Sequence, residues 1–179
     1  MGSYSPSTRA RIADLITGMH VKTTDGVLAA AAFTNAAQTE LFTIVGRIAV
    51  YQLFIELTAA ADANATTVAF NCTFTTPVIA LNEMQADCTT IASLPAHTRI
   101  VCTNGVVATA CILTDSAGLT DVTAAGKILI LGGETAAGGN TAGTIGMLAA
   151  AATQAATITA TGHLYYYPMS EGAYAAALV

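Results

Sequence analysis

The chain has 179 residues, a formal net charge of −5, 54% hydrophobic residues and only 9% charged ones. Ordinary soluble domains carry roughly 25% charged residues, so this composition argues against a freely diffusing monomer with an ionic surface. It favours a protomer that buries much of its surface in an oligomer or a larger assembly. The length suits one domain with an added arm, large enough to fold without staples.

The N-terminal MGSYSPSTRARIADL lacks the apolar core of a secretory signal, which predicts synthesis in the cytoplasm. Ile12, Leu15, Ile16 and Met19 fall at helical spacing with Gly18 beside them. They predict a short amphipathic helix in an arm spanning 1–38. Arg9, Arg11 and Lys22 against Asp14 leave the first 22 residues at 3 − 1 = +2, and the rest at 3 − 10 = −7. A positive arm on an acidic body suits docking to an acidic protein surface. It does not suit nucleic acid, which takes a broad basic face.

From Glu40 the pattern turns to strands. ELFTIVGRIAVYQLFIELT reads as a long strand or a bent pair with a bulge near Gly46. Phe42, Ile44, Ile48 and Val50 share one parity, and Tyr51, Leu53, Ile55 and Leu57 take the other, so both faces are expected to meet apolar partners. VAFNCTF alternates between Val68, Phe70, Cys72 and Phe74 and the wetter Ala69, Asn71 and Thr73, which predicts one core face and one solvated face. LNEMQAD reads as a loop. Asn104-Gly105 marks a hairpin between TRIVCT and VVATACIL. KILIL is a further strand, GGETAAGGNTAGTIG a loop or hairpin tip, and ATITATGHLYYYP two strands around Gly162. The predicted class is all-β, a β-sandwich or jelly-roll-like domain over 39–179 behind the short arm with its one helix.

Motifs for chemistry are missing. Gly126-Lys127 is followed by Ile128 and a strand, whereas a phosphate loop needs Ser or Thr and a helix N-terminus. The glycines of 132–146 do not spell a dinucleotide fingerprint. His20, His97 and His163 lie far apart in sequence, with no serine in GxSxG. Cys72, Cys88, Cys102 and Cys111 form no CxxC, and no histidine stands at zinc-ligand spacing from them, so buried, reduced, structural cysteines are expected. No enzyme, cofactor or metal is predicted. The longest run without Asp, Glu, Lys or Arg, Thr135 to Ser170, is broken by Gly, Thr, Asn, Gln and Pro. It falls short of the ~20 predominantly apolar residues of a spanning helix. In a strand, Tyr165 and Tyr167 face one way and Tyr166 the other, and tyrosine rings with polar tips favour interfaces.

LFTIVGRIAVYQLFIELT, ANATTVAF and the closing GTIGMLAAAATQAATITATGHLYYYPMSEGA, taken in that order, resemble small virion proteins of tailed bacteriophages: capsid decoration, cement or head-fibre-type proteins. The resemblance covers roughly 140 residues and is one of texture and order. It implies a homo-oligomer, often a trimer, made in the host cytoplasm and seated on the outer capsid against the major capsid protein, without membrane or nucleic acid. On that expectation Arg9, Arg11, Ile12, Leu15, Ile16 and Lys22 make the capsid contact, and Tyr51, Tyr165 and Tyr167 the oligomer interface. The alternative is a tail-fibre or receptor-binding module that grips a host glycan.

Overall fold

The computed structural model describes residues 18–23, 26–28, 38–64, 67–75, 78–85, 87–88, 90–102, 112–114, 128–135, 137–149 and 158–178. Among them there is no helix, and twelve strands form two antiparallel sheets. The strands are β1 (Met19–Lys22), β2 (Gly26–Leu28), β3 (Thr39–Val45), β4 (Ile48–Leu57), β5 (Val68–Thr75), β6 (Val78–Glu83), β7 (Arg99–Val101), β8 (Ile112–Thr114), β9 (Leu129–Leu131), β10 (Ala142–Ala149), β11 (Ile158–Pro168) and β12 (Tyr174–Ala177). A seven-stranded sheet runs β1-β11-β4-β7-β8, with β2 also on β11 and β9 also on β4; a five-stranded sheet runs β12-β3-β10-β5-β6. The two share one apolar core, drawn from Phe42, Ile44, Phe70, Ile145 and Met147 on the smaller sheet and Leu53, Ile55, Ile100, Leu164 and Tyr166 on the larger. The arrangement is β-sandwich-like.

The long apolar segment from Glu40 is the bent pair of strands, β3 and β4, and not one long strand bulged at Gly46. It turns there and changes sheets, β3 lying in the smaller and β4 in the larger. Gly46 has φ +76°, and a Cβ on it would meet Asn140 and Ser170, so the corner admits a residue without a side chain. The switch of parity inside β4 has a separate cause. Tyr165 pairs with Gln52 but Tyr166 with Val50, leaving Tyr51 as the extra residue of a β-bulge. Ile48 and Val50 before it, and Leu53, Ile55 and Leu57 after it, therefore all enter the same core.

Three further expectations are corrected. Of ATITATGHLYYYP, the described part Ile158–Pro168 is a single strand, and Gly162 is not a break: its bare α-carbon faces the Phe42 ring of the opposite sheet, which an added Cβ would approach to 3.1 Å. Opposite it, between β1 and β2, the Gly162 N–H donates to the Thr23 hydroxyl (2.7 Å) and the Thr23 N–H to the Gly162 carbonyl (3.0 Å). This bridges the gap in the edge strand. Ala69 and Asn71 are buried, so the supposed wet face of β5 opens only towards the strand's end, at Thr75 and at Thr73, whose hydroxyl donates to Gln38 Oε1 (2.9 Å). Leu81–Glu83, read as loop, belong to β6.

Met19, expected on the apolar face of a helix, begins β1 and pairs with Tyr166; Ile12, Leu15 and Ile16 lie outside the described residues. Asn104-Gly105 lies outside them too, although the flanking β7 and β8 do pair antiparallel, Val101 with Ile112. Cys72, Cys88 and Cys102 are buried thiols, Cys72 with its pKa pushed up to about 11 by burial; Cys111 is outside.

Candidate functional interface

The outer face of the seven-stranded sheet gathers side chains from four segments. Antiparallel register sets Lys22 opposite His163 and His163 opposite Phe54, with Val101 beyond. The next row is His20, Tyr165 and Gln52. A third pairs Thr161 with Glu56 and Glu56 with Arg99. Residues directly opposite on neighbouring strands point to the same side, so the alternation of HLYYYP puts His163, Tyr165 and Tyr167 outward while Leu164 and Tyr166 are fully buried.

The rings touch one another. His20 stacks on Tyr165 with centroids 4.2 Å apart, and His163 stacks on Phe54 at 4.6 Å. His20 Nε2 and His163 Nδ1 are 3.1 Å apart, hydrogen-bonded with one ring donating and the other accepting. The bulge turns Tyr51 onto this face, 5.7 Å from Tyr165 and 5.3 Å from Tyr167 by centroids. Gly18, at φ +70°, lets the chain lie against that pair, since a Cβ there would be 3.1 Å from Tyr51 and 3.3 Å from Tyr167. The three tyrosines and His163 are half-buried, and His20 and Lys22 are exposed.

Charge sits along one border. Arg99 Nε donates to Glu56 Oε2 at 2.9 Å, His97 Nδ1 stands 3.5 Å from Glu56 Oε1, and the Arg99 guanidinium lies 5.4 Å from the Phe54 ring centre, a cation–π contact. Burial alone would raise the Glu56 pKa, but the Arg99 hydrogen bond and charge, with His97, outweigh it and hold the carboxyl below its ordinary range. His163 is held low, first by burial, then by the charges of His20 and Lys22, with Glu56 pulling the other way and Arg99 adding a smaller push down. Tyr51 is raised by burial and by its tyrosine neighbours.

The Glu56 shift has a checkable sign. As pH falls, the unfolded chain takes up this proton before the folded one does. The contribution is therefore complete above the ordinary carboxyl value of 4.5 and fades as pH drops through the lower folded pKa. Urea midpoints of wild type and Glu56→Gln, measured down to about pH 3, are expected to converge in that range; parallel curves would contradict the assignment.

Comparison with protein-family models, with curated proteins and with solved structures finds no match. The face itself therefore has to carry the functional reading. Of the residues singled out from sequence, Tyr51, Tyr165 and Tyr167 come together here. Lys22 also lies on this sheet, opposite His163; the others of its expected group, Arg9, Arg11, Ile12, Leu15 and Ile16, are outside the described residues. His20, Phe54, Glu56, Arg99 and His163 were not anticipated. The period of two in HLYYYP places His163 with Tyr165 and Tyr167, and that signal was available. Among the described residues, no group of three or more His, Cys, Asp and Glu is placed to hold a metal ion.

Proposed function

We propose that this chain is a structural subunit of a virus particle, a capsid decoration or cement protein. In this reading it works as a homo-oligomer, a trimer by resemblance, on a shell of major capsid protein. The observation that carries the reading is the cluster of Tyr51, Tyr165 and Tyr167 with His20 and His163, open in part to solvent and stacked against the buried Phe54 ring on one sheet face. Rings of this kind bury a large apolar area at low entropic cost while their polar tips keep hydrogen bonds. A chain with 9% charged residues has little ionic surface to keep such a face apart from a second copy. Oligomerisation then multiplies modest capsid contacts through effective concentration. The jelly-roll-like form of the sandwich belongs to the same proposal.

The fold alters how the capsid arm should be tested. Removing residues 1–22 would delete β1 from the sheet, because Met19–Lys22 pair with 163–166. Removing residues 1–17 takes Arg9, Arg11, Ile12, Leu15 and Ile16 and leaves that strand. This truncation is expected to abolish co-sedimentation with capsids while light scattering still reports the oligomer. Combined Tyr51→Ser, Tyr165→Ser and Tyr167→Ser is expected to yield a folded monomer. A wild-type chain that stays monomeric at high micromolar concentration and ignores capsids would end the proposal.

A second reading, a module that grips a host glycan, is favoured by the same stacked rings beside Glu56, Arg99 and His97. Saturable polysaccharide binding, lost in Tyr165→Ala while the oligomeric state is kept, would put it ahead.

A further inference from the structure

We propose that His20 and His163 form a two-imidazole half-site for a first-row transition-metal dication, with Cu2+ the preferred ion. The inference rests on the pair's own geometry and stands whether or not the assembly reading holds. The two residues lie on adjacent strands, β1 and β11, one diagonal step apart: His20 is opposite Tyr165 and His163 opposite Lys22. Their facing nitrogens, His20 Nε2 and His163 Nδ1, are 3.1 Å apart. Two imidazole nitrogens at about 2.0–2.1 Å from one ion are separated by about 2.9–3.4 Å as the angle at the metal opens from square to tetrahedral. The observed gap falls within that range. Turning each ring about its Cβ–Cγ bond redirects the lone pair from the other nitrogen to an ion between them.

Packing has already limited both rings. Tyr165 stacks on His20 within 10° of parallel, Phe54 on His163 within 10°, and the two histidine planes differ by 5°. Chelation therefore exchanges part of this stacking for two metal–nitrogen bonds, while the pairing of β1 with β11 keeps the two side chains close as the rings turn. His20 is exposed, so water or an exogenous donor can fill the remaining coordination positions. The charged groups around the pair are Lys22, opposite His163, with Glu56 and Arg99 on the far side of Phe54. Arg99 is already bound to Glu56 at 2.9 Å, which leaves Lys22 as the main cation opposing a metal. Imidazole suits copper, nickel and zinc, and Cu2+ binds most strongly among the divalent ions for a given nitrogen site.

The test is titration of Cu2+ into the full-length protein near neutral pH, followed by electron paramagnetic resonance. One ion per chain with coupling to two imidazole nitrogens is expected. His20→Ala and His163→Ala should each weaken binding by about tenfold or more, since each removes the second arm of a chelate, while His97→Ala should bind as wild type does. His20 is an exposed residue of an edge strand, so His20→Ala keeps the fold, and a thermal melt confirms it. Wild-type affinity in that variant, or a spectrum with fewer than two coupled nitrogens, overturns the site.

Discussion

Tyr166→Ala is expected to lower the unfolding free energy by about 3–5 kcal/mol, the range for removing a buried aromatic ring. Tyr166 is fully buried and stands among the largest such side chains in the core. It also does what no aliphatic residue there can do. Its hydroxyl accepts a hydrogen bond from the Ala175 N–H at 3.0 Å, tying β11 of the larger sheet to β12 of the smaller. Tyr166→Phe keeps the ring and strands that buried N–H, at a cost of about 1–3 kcal/mol. Urea unfolding of the two variants separates the ring from the hydroxyl. A neutral Tyr166→Phe would show that the inter-sheet bond contributes nothing. Stability of a whole domain is about 5–15 kcal/mol, so the alanine variant forfeits a large part of it.

Gly143→Ala is the second large effect, expected to cost about 1–3 kcal/mol through overpacking, and Gly143→Val more. Gly143 in β10 lies between Phe74 of β5 and Ile44 of β3. A Cβ there would collide with the edge of the Phe74 ring, with the Thr73 carbonyl oxygen 2.6 Å away. The ring fills the space that the glycine leaves, and neither can be enlarged alone. Combining Gly143→Ala with Phe74→Leu is expected to cost less than the sum of the two single changes, because the smaller side chain yields room for the new methyl. Strict additivity in a double-mutant cycle would show that the two do not compete for one volume.

The all-β class was legible because the segments around Phe42, Phe70, Leu129 and Tyr166 alternate or run apolar over short lengths between glycines. Which sheet each strand joins was not. Phe42 and Ile44 share parity with Ile48 and Val50 whether the chain runs straight through Gly46 or turns there. Only the positive φ at Gly46 and its neighbours Asn140 and Ser170, more than ninety residues away, decide it. Gly162 misled for a related reason. A glycine inside a strand pattern reads as a break, but here its missing side chain serves Phe42 of the other sheet. The wet face assigned to β5 failed at Asn71, whose burial depends on neighbours that alternation does not report.

Part of the outer face could be read from HLYYYP, which orders His163, Tyr165 and Tyr167 by period two. His20 reaches them through pairing across 143 positions of chain, and no local spacing encodes that. Tyr51 was expected at an interface, yet its aim comes from a bulge that shows only when Gln52 and Val50 are matched to Tyr165 and Tyr166. The apparent second apolar face of β4 was that same bulge seen without its partner strand.

At one end of the molecule three connections are stitched together. The Gly46 N–H donates to the Thr141 carbonyl (2.9 Å), the Arg47 N–H to Ser170 Oγ (2.9 Å), the Met169 N–H to the Arg47 carbonyl (2.8 Å) and Asn140 Nδ2 to the Glu171 carbonyl (2.9 Å). Tension entering from the C-terminal side acts first on β12, paired with β3 from Ala177 back to Tyr174, and any peeling of that strand is arrested at its base by a knot shared by both layers. A cargo fused at that end could strip one short edge strand, but the rest of the domain would stay closed behind the knot.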